Sequence, residues 1–202
     1  MNMTEDRIDL STSQGWLDHL LYHLARYKFA SRMIRPGDRV LDYGCGTGYG
    51  TRMMAEVAGE IWGVDSDESV IQKASSQYQS DNLTFFCDDV LFKSMMAGCN
   101  FNMITVMEVI EHVTRKDAAK MLMSLRGGLA ENGILVLSTP KFKPIEQRSP
   151  FRAKHHVYEY EYEDLNKLLS DTFRRHLIFT QTDEIISMGN PSVCWTYIAI
   201  CW

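Results

Sequence analysis

The sequence predicts an α/β protein built on a mostly parallel sheet with helices on both faces. Between residues 38 and 140, short aliphatic strands alternate with helix-like stretches, a pattern that favours parallel strands joined by crossover helices. A glycine-rich turn, within "VLDYGCGTGYGT", follows the first of these strands. Two more strand-like runs close the chain with only a turn region between them, which fits an antiparallel pair at a reversed edge.

In order along the chain, Trp16, Leu20, Leu24, Tyr27, Phe29 and Met33 recur at helical spacing, so one or two helices precede "RPGD". The strands "RVLDYG" and "EIWGVD" are each followed by a predicted helix, around 49–58 and 67–79, and "LTFFCDD" is the third strand. "FNMITVMEV" is a more buried fourth strand, and a helix around 115–130 leads through "ENG" to the fifth, "ILVLSTP". Residues 141–154 hold two prolines and several basic side chains and read as a surface loop over the strand ends. A helix near 162–172 and the strands "HLIFTQTD" and "CWTYIAICW" complete the pattern.

A length of 202 residues suits one domain. Within it, residues 1–36 form N-terminal helices, 37–140 a ligand-binding core, 141–157 a substrate-side loop, and 158–202 the C-terminal helix and strands. With 45% hydrophobic and 23% charged residues and no long apolar run, the composition is that of a soluble protein without a membrane span. The acidic, polar start predicts no export signal. Cys45, Cys87, Cys99, Cys194 and Cys201 are odd in number and none form C-x-x-C, which fits reduced thiols and a cytoplasmic location. A net charge of −5 gives no global attraction to nucleic acid, though "KFKPIEQRSPFRAK" offers a local basic patch.

Glycines clustered between a strand and a helix let the backbone approach a ligand closely and turn free N–H groups toward it. A dinucleotide fingerprint counted from Gly44 needs a small residue where Tyr49 stands. The spacing D-x-G-x-G-x-G, with Asp42, Gly44, Gly46 and Gly48, instead resembles motif I of the class I S-adenosylmethionine-dependent methyltransferases. Asp65 ends the second strand, where a carboxylate can accept both hydroxyls of a ribose. Asp88 stands where that family's acid meets the adenine amino group. The resemblance covers residues 35–140 and implies a seven-stranded doubly wound sheet with an antiparallel last strand. It implies S-adenosylmethionine as cofactor, with contacts at Arg26, Asp42, Gly44, Cys45, Gly46, Tyr49, Asp65, Ser66, Asp88, Asp89 and Met107.

At the end of the fourth strand, Glu108, Glu111 and His112 in "MEVIEHV" would share one face of a helical turn. Glu111 and His112 are the candidate catalytic residues. Two carboxylates and an imidazole suit a general base, or a divalent metal (Mg or Mn) completed by His155 or His156. The proposed metal set is Glu108, Glu111, His112 and His156. "E-x-x-E-H" with a later histidine is similar to the ubiquinone-pathway O-methyltransferases and to the metal-dependent RNA 3′-end 2′-O-methyltransferases. His23, Arg26 and Tyr27, in "HLARYKFA", resemble a segment that folds over the cofactor and can pair with its carboxylate. Together with "HVYEY", they also look like methyltransferases of sugar and cell-surface glycan chemistry. The expected activity is O-methylation of a small-molecule, sugar or lipid-linked acceptor. The alternatives are the RNA 3′-end enzyme and a non-catalytic S-adenosylmethionine-binding partner protein.

Overall fold

The computed structural model describes residues 17–88 and 98–202. In chain order the elements are α1 (Leu17–Ser31), β1 (Arg39–Tyr43), α2 (Tyr49–Ala55), β2 (Glu60–Asp65), α3 (Glu68–Gln77), β3 (Leu83–Cys87), β4 (Phe101–Met107), α4 (Arg115–Gly127), β5 (Leu129–Pro140), α5 (Pro150–His155), α6 (Tyr162–Thr172), β6 (His176–Thr182), β7 (Ile185–Ser187) and β8 (Thr196–Cys201). Short 3₁₀ turns cover Ile110–His112 and Ile145–Gln147.

The strands form one sheet in the order β3-β2-β1-β4-β5-β8-β6-β7. The first five strands run parallel. β8 is antiparallel to both β5 and β6, so β6 runs with the first five and β7 folds back on it. Among the described residues the sheet therefore has eight strands where seven are expected. The reversed strand β8 lies inside the sheet rather than at its edge. Burial explains both differences: five of the six β8 residues are buried, which requires neighbours on both sides, whereas β7 leaves Ile185 71% exposed and serves as a short edge.

Side-chain alternation divides the core into two layers. Val40, Met103, Val136 and Ile198 pack with Tyr27 and Ala30 of α1 and Met54 of α2. Leu41, Ile104, Leu135 and Ala199 pack on the other face with Leu122 of α4 and Leu165 of α6. Among the described residues one helix, α1, precedes the first strand, and it lies close on α2. A Cβ on Gly50 would stand 2.1 Å from the Tyr27 ring, so only a glycine allows this approach.

The basic segment 141–154 is not a plain loop. Ser149 accepts a hydrogen bond from the Arg152 amide and Pro150 opens α5, a Ser-Pro start that the sequence displays. Its arginines turn inward. Arg152 pairs with the buried Glu159, Arg148 Nε lies 3.3 Å from the same carboxylate, and Arg152 Nη2 donates to the Lys141 carbonyl. This removes much of the basic patch expected there. Among the described residues no helix is long and apolar enough to cross a membrane.

Candidate functional site

The carboxyl ends of β1, β2, β3 and β4 open into a cavity of about 680 Å³. The glycine loop forms its floor. Gly44, Gly46 and Gly48 have φ of 79°, 53° and 81°, in the left-handed region that glycine enters without strain. A Cβ on Gly44 would stand 2.3 Å from Val109 Cγ2. The Gly44 and Cys45 amides donate to the Val64 carbonyl at 2.7 and 2.9 Å, folding the loop over β2.

The acids of this region divide into a buried support and two wall residues. Asp42 is fully buried and does not line the cavity; Thr51 Oγ1 and Thr105 Oγ1 donate to its two oxygens at 2.7 Å each. It therefore braces β1 against α2 and β4 from beneath the loop. Burial lifts its carboxyl to about 6, against the hydrogen bonds from Thr105 and Thr51. Asp65 lines the cavity, accepting from the Gly46 and Asp67 amides at 3.0 Å each. Asp88 also lines it and accepts from the Tyr43 hydroxyl. Arg26, Gly44, Cys45, Gly46, Tyr49, Ser66 and Met107 all contribute to the wall. Asp89 lies outside the described residues.

At the end of β4 the expected convergence is only partial. Glu108 has φ 54°, a left-handed conformation that costs a non-glycine residue about 1–3 kcal/mol and persists only where its surroundings hold it. Here its amide donates to Ser138 Oγ, and its Oε1 accepts from that hydroxyl at 2.7 Å and lies 3.1 Å from Arg26 Nη1. The chain is therefore not helical at Glu108, and this carboxylate turns toward Arg26. Glu111, His112 and His156 do come together, with one ligand atom from each within 4.8 Å of the others. Glu108 is not in that group, so the proposed four-residue metal set reduces to three.

Glu111 is fully buried behind the cavity wall, which makes it unable to touch an acceptor directly. Its Oε2 accepts from Thr139 Oγ1 at 3.0 Å, and among the described residues its Oε1 has no hydrogen-bond partner. Burial, reinforced by the nearby Glu108 charge, raises this carboxyl well above its ordinary range. His112 lines the cavity. Its Nδ1 lies 3.1 Å from the His155 carbonyl, which can only accept, so the proton sits on Nδ1 and the lone pair on Nε2. His156 Nδ1 lies 2.8 Å from Glu159 Oε1. Burial acts to raise the Glu159 carboxyl, but hydrogen bonds from His156 and Arg152 outweigh it and hold the group at about 2. That ionised acceptor likewise fixes the His156 proton on Nδ1. Of the two adjacent histidines, His156 joins Glu111 and His112, while His155 lines the cavity and stacks on Phe151 at 4.2 Å.

Several wall residues carry no sequence signal. Val109, Val113, Met121 and Phe151 give the cavity beside His112 an apolar side. Gln181 and Thr196 hold Arg26 from β6 and β8. Glu159 was legible only as one acid in "HVYEYEYED". Tyr43, inside motif I itself, could have been found from its place one residue after Asp42.

A methyltransferase-domain family model matches residues 40–133. A ubiquinone biosynthesis O-methyltransferase of Coxiella burnetii is 32% identical over 122 residues, covering 59% of this chain and 51% of that protein. The chain thus spans about half the length of the curated relatives it matches. Among solved structures, an S-adenosylmethionine-dependent methyltransferase of Clostridium acetobutylicum superposes with a TM-score of 0.68 at 14% identity, covering 92% of each chain. Magnesium protoporphyrin IX methyltransferase of Synechocystis, solved with S-adenosylhomocysteine bound, gives a TM-score of 0.61 at 18% identity, covering 95% of this chain and 90% of that one. The sequence core, residues 40–133, thus matches a methyltransferase domain, and nearly the whole chain is similar in fold to solved S-adenosylmethionine-dependent methyltransferases.

Proposed function

We propose that the protein binds S-adenosylmethionine in the 680 Å³ cavity and methylates a hydroxyl group of an uncharged small molecule. One observation carries this reading: the glycine loop, Asp65, Asp88, the Arg26–Glu108 pair and the His112 imidazole all face the same cavity. The bound cofactor supplies a methyl group already activated on a sulfonium. The protein has then to hold the acceptor oxygen in line and take its proton. His112 suits the second task, because its ring lines the cavity and its Nδ1 is tied to the His155 carbonyl, which orients the imidazole. Val109, Val113, Met121 and the Phe151–His155 stack suit the first for a flat, apolar acceptor body. Among the described residues the lining has one guanidinium and no lysine, and that guanidinium is already paired with Glu108. Among the described residues a phosphorylated group would thus find no second arginine and no lysine in the lining. The name of the Coxiella burnetii relative, an O-methyltransferase, supports oxygen as the acceptor atom.

A metal-assisted version of the same transfer is favoured by a separate observation. Both imidazoles have Nδ1 tied to an acceptor, and Glu111 has a buried oxygen without a hydrogen-bond partner among the described residues. Metal-binding histidines are commonly oriented this way, by a carbonyl or carboxylate on the other ring nitrogen. A divalent ion would be held by Glu111, His112 and His156 and would act on the acceptor oxygen as a Lewis acid. Two nitrogen donors favour manganese over magnesium. The RNA 3′-end reading loses support, because Arg148 and Arg152 are engaged internally by Glu159.

Calorimetric titration of the chelator-treated protein with S-adenosylmethionine and S-adenosylhomocysteine, with and without manganese, tests the reading. Binding that Asp65→Ala weakens by about 1.5–3 kcal/mol is expected, as for hydrogen bonds to a charged acceptor. No cofactor binding would overturn the proposal. A manganese signal abolished by changing His156 would select the metal-assisted form. With the cofactor established, a panel of neutral phenols and sugars tests the acceptor.

A further inference from the structure

Arg26 has a set of partners that the methyl-transfer reading leaves unused. Its Nε donates to Gln181 Oε1 at 2.7 Å and its Nη2 to Thr196 Oγ1 at 3.1 Å, while Nη1 meets Glu108 Oε1 at 3.1 Å and His23 Nδ1 at 3.5 Å. Gln181, 1% exposed, has its amide orientation fixed, since Nε2 donates to the Tyr22 and Asp183 carbonyls at 2.8 and 2.7 Å. Arginine on a surface helix usually keeps its head in water. Here the residue is 1% exposed and still lines the cavity. Of its five N–H donors, the contacts above leave one on Nη2 for a ligand.

Position along the sheet indicates what that ligand group is. In the order β3-β2-β1-β4, Asp88 and Asp65 follow the first two strands, the glycine loop follows β1, and Glu108 follows β4 beside Arg26. The two wall acids that suit a nucleoside stand at one end of the cavity, and an Arg–Glu pair stands at the other. Opposite charges side by side complement a zwitterionic α-amino acid. We propose that Gln181 and Thr196 are positioning residues, which aim the Arg26 guanidinium at the carboxylate of the cofactor's amino-acid end from strands 155 and 170 residues further along the chain. The proposal rests on the reading of the cavity as an S-adenosylmethionine site.

The test is calorimetry on the full chain with two ligands, S-adenosylhomocysteine and 5′-methylthioadenosine, which share the adenosine and differ in the amino-acid end. Gln181→Leu is expected to weaken S-adenosylhomocysteine by about tenfold, the scale of one charged hydrogen bond, and to leave 5′-methylthioadenosine unchanged. Thr196→Val should act in the same direction more weakly, and it carries the test if the leucine variant does not fold. Equal weakening of both ligands, or of neither, would overturn the proposal. If the unaltered protein binds the two ligands equally, the cofactor reading stands and this assignment falls. Binding of neither ligand removes the cofactor reading and the assignment with it.

Discussion

The Tyr43 hydroxyl donates to Asp88 Oδ2 across 2.5 Å, so the last residue of β1 orients the acid that follows β3. Tyr43→Phe keeps the ring and removes the donor. Affinity for S-adenosylhomocysteine is expected to fall by about 0.5–1.5 kcal/mol, the net worth of one hydrogen bond. Titration calorimetry measures it directly, and an unchanged value would leave Asp88 oriented by other means.

His112 and Glu111 are neighbours in sequence but differ in access to the cavity, and their variants should separate accordingly. His112→Ala is expected to lower turnover on a hydroxyl acceptor by about 10²–10⁴-fold, the usual worth of a general base, with cofactor affinity retained. Glu111→Gln should also leave cofactor affinity unchanged, because the side chain does not reach the cavity. Its effect should appear in manganese binding and in turnover. Full activity of Glu111→Gln without metal would remove the metal-assisted version and leave His112 as a base.

Glu159 should make stability depend on acidity. Its carboxyl, 4.5 in the ordinary state, is held at about 2 in the fold. A depressed value stabilises the fold above the ordinary one, and the contribution is lost as pH falls through about 2. Breaking a buried ion pair on one side typically costs about 3–5 kcal/mol, so Glu159→Gln should lose that much at neutral pH. Urea unfolding from neutral to strongly acidic pH should show the difference closing below the ordinary value.

Asp42 predicts the opposite slope. Its carboxyl rises from 3.8 to about 6 on folding, so its contribution is complete below the lower value and is lost as pH rises through the upper one. Asp42→Asn should therefore be the more stable protein above neutrality, by up to about 3 kcal/mol. The gain should vanish on acidification. A less stable variant at every pH would mean that the charged form is worth more to Thr51 and Thr105 than its burial costs.

Much of this was legible in local sequence. β2 spans the expected "EIWGVD", and α6 the expected 162–172, because aliphatic runs and helical periodicity are short-range signals. Gly44, Asp65 and His112 were legible because motif spacing is also short-range. The misses have distinct causes. Glu108 was placed on a helical face, but its left-handed backbone turns it toward Arg26. Glu111 was read as reaching the acceptor, and burial behind the wall follows only from how the following segment covers it: the Val157 and Tyr158 amides both donate to its carbonyl. β7 has three residues, too few to show a period. Gln181 and Thr196 belong to the site through pairings far apart in the chain, and no local pattern encodes such partners.

The reversed strand has a consequence for how the molecule is made. Residues 196–201 lie between β5 and β6, so a chain emerging from the ribosome has a split sheet until they are released. Long-range pairing of this kind is slow, and unpaired strand edges invite wrong partners in the interval. Thr196, a partner of Arg26, is the first residue of that strand. The nascent protein thus displays its glycine loop early, while the opposite end of the cavity is assembled only once residues 196–201 have emerged.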